Sequence, residues 1–331
     1  MPVYNGQSVI KETLKSILSQ SFSNYEILIA DDCSTDNTEK VIKEIKDKRI
    51  TFYRNSENLG YSKNLEKCRK RARGDIIYLM GQDDILGKDA LLNTCKAFER
   101  SPEIGAVTRP YYWFDKDINI PVRAKKQLNS KKDELVKITS EKEKILTMFS
   151  TLDQLSGLAF RKEYMDLPFH EDIFPCHVYP FASIFKKYTV VFLKDYNLAV
   201  RIGSSQARNS KIYGRKTSYI YEKSPIQSWI DMFENVYSEK IFSEFKDWMI
   251  KNFVAVNYVG LVQIRNYARY RYLLREIFLL LKYRLQNLFS PIFWFFSLGC
   301  LATPSFLLIP LVDWYKNKIL SQKLVQIKLD L

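Results

Sequence analysis

The sequence predicts an α/β fold, a mostly parallel sheet with helices on both faces, joined to a helical, membrane-associating C-terminal region. Three observations carry the prediction. In the first 115 residues amphipathic segments alternate with short apolar runs, the pattern of strands joined by crossover helices. Two of those runs end in paired aspartates. From about residue 218 the chain turns helical, basic and aromatic, and residues 285–312, "LQNLFSPIFWFFSLGCLATPSFLLIPLV", carry no charge at all.

Taken in order, helical spacing of apolar residues predicts helices over 8–21, 37–48, 61–73 and 88–100. The runs "YEILIADD", "ITFYRN", "DIIYLMGQDD" and "IGAVTRPYYWF" between and after them are rich in β-branched and aromatic residues and read as strands. "CSTDNT" reads as a helix start, because Ser34, Thr35, Asp36 and Asn37 can all accept from free backbone N–H groups. Residues 116–145 are dense in Lys, Asp and Glu and are expected to be an exposed insertion ending in a helix. Residues 151–202 return to compact, mixed character, and no internal repeat is present.

At 331 residues with 46% hydrophobic content the chain can bury one large or two medium cores, which excludes a disordered protein. Its five cysteines, Cys33, Cys68, Cys95, Cys176 and Cys300, are widely spaced and never form a CxxC pair, which suits neither a disulfide framework nor a zinc site. The opening "MPVYNGQSVIKETL" lacks the basic start and apolar run of a secretion signal, so a cytoplasmic location is expected. The 51 basic against 37 acidic residues give a net charge of +14, which suits nucleic acid, an anionic membrane or phosphorylated substrates. The basic excess lies beside the uncharged run, and that placement favours a membrane surface over nucleic acid.

Ligands of open parallel sheets bind at the carboxyl ends of strands, where Asp31, Asp32, Asp83 and Asp84 stand. Like charges brought together raise one another's pKa, so two such pairs imply a cation or hydrogen-bond donors nearby. Mg²⁺ or Mn²⁺, held by one or two carboxylates plus substrate phosphates, fits. The competing reading is that these aspartates cap the helices that follow.

"PVYNG" at 2–6, "YEILIADDCSTDNT" at 25–38, "NSENLGYSKNLEKCRKRARGDIIYLMGQDD" at 55–84 and "GLAFRKEYM" at 157–165 together resemble the family 2 glycosyltransferases, nucleotide-sugar enzymes of the GT-A (Rossmann-like) fold. The resemblance covers roughly residues 1–205 and implies a GT-A catalytic domain there, with a nucleotide-sugar half to about 115 and an acceptor half over 116–205. Residues 206–331 would form the helical region. The resemblance further implies that Asp31 or Asp32 reads the base edge, and that Asp83 and Asp84 hold the ribose and the metal on the diphosphate. Pro2 and Tyr4 of "PVYNG", with Asn58, Gly60 and Asn64 of the "N-x-G…N" stretch, would bring backbone close to the nucleotide; the plain alternative for the latter three is a turn and helix start. A UDP-sugar donor, a divalent cation and a glycan or polyprenyl-diphosphate-linked acceptor follow as expectations.

Three departures from the family pattern matter. Family members begin with several apolar residues before "PVYN", forming a central strand, whereas Met1 here stands directly against Pro2, so that strand is expected to be missing. "GQDD" has Gly81 where a third aspartate often stands. The acidic pair that supplies the family's catalytic base aligns with Cys176 and His177, while the carboxylates lie earlier, at Glu171 and Asp172. His177 can accept a proton near neutral pH; a shifted loop bringing in Asp172 or Glu171 is the alternative, and a purely structural role a third. The Gln-x-x-Arg-Trp signature of processive synthases is not matched by "SQARNSK", which favours single-sugar transfer, with Arg201 and Arg208 as possible diphosphate contacts.

The helical region stands on physics alone. Residues 264–287 carry six basic residues between Arg265 and Arg284 against one glutamate, interleaved with Tyr and Leu, and are expected to form a basic amphipathic helix lying on an anionic bilayer at the cytoplasmic side of the membrane. RNA binding is the runner-up, and a packed bundle helix with a basic outer face the plain alternative. The 285–312 run is long enough to span a bilayer, but Pro291, Pro304 and Pro310 predict a broken or interfacial element. Two functions stay open: a membrane-associated glycosyltransferase, and a non-catalytic nucleotide-binding or assembly protein on the same fold.

Overall fold

The computed structural model describes residues 1–172, 174–202 and 224–315, with 324, 327 and 329. The chain divides into two compact units, Met1–Ile202 with Leu324–Leu331, and Gly203–Lys323.

In the first unit α1 (Ile10–Leu18), β2 (Ile27–Asp31), α2 (Thr38–Glu44) and β3 (Ile50–Arg54) alternate as the periodicity predicts, and β1 (Pro2–Val3) precedes them, a short strand where the sequence predicts the first strand to be missing. The three strands form a parallel sheet in chain order. α1 lies against it because Ile10, Leu14 and Ile17 recur at four- and three-residue spacing and are all buried, each such side chain contributing about 1.5–3 kcal/mol. β1 is two residues long, and the Met1 amino group donates to Leu28 O at 2.9 Å. α3 (Tyr61–Arg71), β4 (Ile76–Tyr78), α4 (Ala90–Glu99) and β6 (Ile104–Thr108) follow near their predicted positions, with a further short strand, β5 (Ile85–Leu86), outside the predicted runs.

Beyond this point non-local pairing overrides the expectation of a mostly parallel sheet. The remaining elements are β7 (Tyr112–Phe114), β8 (Pro121–Ala124), β9 (Glu134–Val136), α5 (Lys142–Ser150), β10 (Ala159–Arg161), α6 (Val178–Lys187), β11 (Thr189–Phe192) and β12 (Leu198–Arg201). β10 inserts antiparallel between β4 and β6 in a five-stranded sheet of order β4-β10-β6-β11-β9. β5 leaves that sheet for a four-stranded one, β5-β12-β7-β8. The segment 116–145, expected to be an insertion ending in a helix, contributes two strands, because β8 pairs with β7 and β9 with β11. Its charged residues alternate with Val122 and Val136, which are buried.

The second unit is helical: α7 (Pro225–Val236), α8 (Ser243–Met249), a π-helical turn over Ile250–Val254, α9 (Val259–Tyr267), α10 (Tyr270–Tyr283), α11 (Pro291–Ala302) and α12 (Ser305–Tyr315). The single basic helix expected over 264–287 is instead two helices that part at Ala268 and Arg269, both extended. Arg265 Nε donates to Cys300 O at 3.0 Å and its guanidinium stacks over Tyr270, so this arginine is tied down locally. α10 turns Tyr272, Leu273, Ile277, Leu279 and Leu280 inward and leaves Arg271, Leu274, Phe278 and Lys282 outward. Its apolar face is therefore covered by the unit's own core, as in the packed-helix alternative. The uncharged run breaks at Thr303 and Pro304, as its prolines predict. α11, with 12 residues, and α12, with 11, reach roughly 18 Å against the ~30 Å of a bilayer core. Among the described residues no helix is long and apolar enough to cross a membrane.

Candidate active site

β2 ends in Asp31, and Asp32 follows it directly. Both carboxylates are buried, and both have partners. Asp32 accepts from Leu59 N and Gly60 N, each at 2.8 Å, and from Asn55 Nδ2 at 2.9 Å, while Asn58 Nδ2 donates to Asp32 O at 3.2 Å. It therefore clasps the turn that opens α3, and Gly60 is required there by its φ of +85° rather than by crowding, since a Cβ would meet nothing within 4 Å. Asn64 donates to Ala30 O and accepts from Asn55 Nδ2, at 2.8 and 2.9 Å, which fastens α3 to the end of β2. Asp31 accepts from Ser34 N and Oγ and faces Arg54 Nη1 at 3.4 Å. Burial, the largest influence, nevertheless raises its pKa. The chain turns away immediately afterwards through Cys33, at a φ of 62°. Of the residues expected to cap α2, Asn37 stands at the N-cap without a side-chain bond, and Asp36 accepts from Thr38 N at 3.0 Å instead.

The second pair lies where the chain leaves β4 and crosses into β5, passing from one sheet to another. Gln82 pairs reciprocally with the backbone of Tyr4, accepting from its N at 2.8 Å and donating to its O at 3.1 Å. The turn after β1, which follows Pro2, is thus locked to the "GQDD" segment. Asp84 is 1% exposed. It accepts from Ser156 Oγ at 2.5 Å, Gln154 Nε2 at 3.1 Å and Arg201 N at 3.2 Å. A carboxylate offers about four lone-pair sites, so one direction is left open. Burial, and secondly the adjacent charge of Asp83, push its pKa up to about 8. Asp83 is half-buried, and Arg201 Nε donates to its carbonyl at 3.3 Å.

Burial, with the adjacent charge of Asp83 second, disfavours the ionised form of Asp84, a cost that a cation would offset, and two carboxylates with substrate phosphates are a donor set suited to Mg²⁺ or Mn²⁺. Asp83 and Asp84 fit that role. Among the described residues no group of three or more His, Cys, Asp or Glu side chains is placed to hold a metal ion. Gly81 explains why: a Cβ there would lie 3.1 Å from Ser156 Oγ and 3.2 Å from both Asp83 Oδ1 and Asp84 Oδ2. The space of a third carboxylate is taken by the Ser156 hydroxyl, which also accepts from Gly81 N at 2.8 Å.

His177 is not arranged as a base. Its Nε2 lies 2.8 Å from Leu152 O, and a carbonyl oxygen only accepts, so that nitrogen carries the proton. Nδ1 faces the Cys176 sulfur at 3.9 Å. Burial drives the imidazole down to about 4, so it is neutral at physiological pH. Asp172 is buried, and Phe174 N approaches its Oδ1 at 3.4 Å. Glu171 is exposed beside Lys63. The positions of Gln206 and Arg208 lie outside the described residues, whereas Arg201 stacks on Phe114 and pairs with Glu12.

Arg109, Gln154 and Ser156, which reach Asp84 or the turn beside it from far along the chain, carry no local sequence signal. Nor does Asp153, which accepts from Tyr111 OH and pairs with Lys125 Nζ at 2.8 Å.

The chain is similar in sequence and in fold to known glycosyltransferases. TuaG of Bacillus subtilis, named for teichuronic acid biosynthesis, is 36% identical over 92 residues, 27% of this chain and 36% of TuaG. A poly-beta-1,6-N-acetyl-D-glucosamine synthase of Staphylococcus aureus is 33% identical over 106 residues, 32% of this chain and 26% of the synthase. The chain thus matches about a third of the length of these relatives. In fold it is similar to S. aureus TarS residues 1–349 in complex with UDP-GlcNAc, with TM-score 0.60 and 15% identity over 95% of this chain and 89% of that one. The mannosyltransferase PcManGT from Pyrobaculum calidifontis, in complex with GDP-Man and Mn²⁺, gives TM-score 0.53 at 16% identity over 98% and 83% of the two chains. Residues 1–164 match the family described as "Glycosyl transferase family 2", and through them the chain belongs to glycosyl transferase family 2.

Proposed function

We propose that the protein moves a single sugar, with inversion, from a nucleotide-diphosphate sugar, a UDP-sugar in particular, to a glycan or polyprenyl-diphosphate-linked acceptor in bacterial surface-polysaccharide assembly. The observation that carries this reading is the buried Asp84 with Asp83 beside it, at the crossing from β4 to β5 and locked through Gln82 to Tyr4. The relatives' names support the polysaccharide context, and the UDP-GlcNAc held by TarS supports the donor class.

Mg²⁺ or Mn²⁺ at Asp83 and Asp84 would supply positive charge against the diphosphate as the anomeric bond breaks. Asp31 and Tyr4 then lie at the base end of the nucleotide, and Asp32 acts through the Asn58–Gly60 turn that it clasps. The acceptor's proton goes to Asp172. His170 N donates to Cys176 O at 3.1 Å, and the Asp172 charge bears on Cys176, at the head of α6. His177 already donates through Nε2, and Glu171 faces outward, which leaves Asp172 as the carboxylate best supported for the role.

Unit 2 is the surface we assign to an anionic membrane on the cytoplasmic side. Support comes from α11, α12 and the turn before them, where Phe289, Phe295 and Phe306 are 87%, 75% and 73% exposed, a density of apolar side chains rare on a free surface.

Release of UDP or GDP from a panel of nucleotide sugars, with and without Mn²⁺, tests the reaction on the full chain. Wild type should release nucleotide from at least one donor in a metal-dependent manner, and Asp84→Ala should abolish that dependence. Asp172→Asn should keep nucleotide binding but slow transfer by roughly 10²–10⁴-fold. Nucleotide binding without release from any donor would establish the non-catalytic alternative.

A further inference from the structure

β10 runs antiparallel between β4 and β6, with Ala159 opposite both Tyr78 and Val107. The turn that feeds β10, residues 151–158, is thereby brought to the carboxyl ends of β4 and β6, the end at which Asp84 stands. Two side chains of this turn, Gln154 and Ser156, are donors to Asp84 Oδ2.

The turn is gathered by one residue. Arg109 follows β6 directly and is 2% exposed. Its Nη2 donates to Gln154 O at 3.0 Å and to Ser156 O, and its Nη1 to Thr151 O and Thr108 Oγ1, each at 3.4 Å. Its guanidinium also lies over the Tyr111 ring, 4.9 Å from the centroid. His177 Nε2 donates to a further carbonyl of the turn, Leu152 O, at 2.8 Å. Burying a guanidinium is costly unless its hydrogen bonds are met; here Nη2 is met by the carbonyls of the two residues whose side chains hold Asp84 and Nη1 by Thr151 O and Thr108 Oγ1, while Nε has no partner among the described residues. Gly157 makes the approach possible: a Cβ there would stand 2.5 Å from Arg109 Nε and 2.9 Å from Cδ, at a backbone φ of +82°.

We propose that Arg109 is a positioning residue for the cation-binding carboxylate: it sets the 151–157 turn so that Ser156 Oγ and Gln154 Nε2, both donating to Asp84 Oδ2, fix the rotamer of Asp84 and leave a lone-pair direction of Oδ1 open. In this role Arg109 and Ser156 need touch neither sugar nor diphosphate. They act through Asp84, as outer hydrogen-bond partners of metal ligands do, and removal of such partners typically lowers metal affinity by 10–100-fold. The proposal rests on the reading that Asp83 and Asp84 bind a cation on the nucleotide diphosphate.

The test is calorimetric titration of UDP into the full chain, in excess Mn²⁺ and in EDTA, together with thermal unfolding of each variant. In wild type Mn²⁺ should tighten UDP binding. Ser156→Ala should reduce that tightening by about tenfold, leave the affinity in EDTA unchanged and leave the protein folded. Arg109→Met should do the same and Arg109→Lys should restore part of it, since an ammonium can still donate to the turn carbonyls. Gly157→Ala, which deletes no donor, should match Arg109→Met by pushing the guanidinium away, and it decides with Ser156→Ala if Arg109→Met does not fold. If Ser156→Ala and Gly157→Ala keep the Mn²⁺ effect within twofold of a metal-responsive wild type, the positioning role is overturned while the cation reading stands. If wild-type UDP binding does not respond to Mn²⁺, the cation reading fails and this proposal with it.

Discussion

At the scale of single residues, the environment decides the role more than the residue type does. His177 is the side chain most suited by chemistry to take a proton near neutral pH, yet its place at the head of α6 commits Nε2 to Leu152 O and removes it from water. The same burial makes it a stability reporter. Its folded-state pKa is lowered from 6.5 to about 4, below the unfolded value, so the unfolded chain takes up the proton first as pH falls. The stability held above pH 6.5 is lost between that value and about 4, to the extent of roughly 3 kcal/mol. Denaturant unfolding between pH 7 and 4 should therefore show His177→Gln losing about 3 kcal/mol less than wild type. Equal losses would place the ring in contact with water.

At the scale of elements, the site is held by helices and turns whose own cores are ordinary. α1 buries Leu14 at 0% exposure, and the same helix ties the aspartate segment from two positions, Thr13 Oγ1 to Gln82 O at 2.9 Å and Leu86 N to Ser16 Oγ at 3.2 Å. Leu14→Ala should cost about 2–5 kcal/mol through the cavity left behind. Because the helix also carries those two ties, nucleotide affinity should fall with stability. Thermal unfolding in the presence and absence of UDP separates the two: a loss of stability with the UDP-induced shift intact would show that α1 supports the core but not the site. On the opposite side, the turn over 151–158 is placed by β10, a strand of three residues, and its accuracy comes from the carbonyls that Arg109 and His177 collect rather than from the strand's length.

At the scale of the whole molecule, the two units divide the chemistry from the surface. The exposed aromatics Phe289, Phe295 and Phe306 belong to the helical unit, while Asp31, Asp32, Asp83, Asp84 and Asp172 belong to the other. Basic side chains near an anionic bilayer contribute about 1 kcal/mol each, an attraction weakened by salt, whereas buried apolar area is indifferent to salt. Co-sedimentation with vesicles containing anionic lipid should show binding that persists at high salt. Replacing Phe289, Phe295 and Phe306 by Ser should convert it to salt-sensitive binding without loss of donor hydrolysis. A full chain that stays in the supernatant with such vesicles at low salt would sink the membrane assignment.

The sequence by itself determined the alternation of β2, β3, β4 and β6 with α1 to α4, and the placing of Asp31 and Asp32 at the end of a strand. Periodicity and turn chemistry are local properties, legible whichever partner a strand takes: β2 pairs with β1 and β3, but β4 and β6 pair with β10 and β5 with β12. It also determined that the uncharged run is broken, because a proline lacks the N–H that a continuous helix requires. Tertiary structure alone decided that β10 enters antiparallel between β4 and β6, that the segment 116–145 supplies two strands, and that α10 turns its apolar face inward. It alone brought Ser156, Gln154 and the Arg201 amide, 72, 70 and 117 residues away, onto Asp84. Such pairings leave no local period, and a serine or an arginine amid a loop looks the same whether it faces water or a buried carboxylate. The same holds for His177, whose proton affinity is set not by its own chemistry but by the carbonyl and the closed core that the fold places around it.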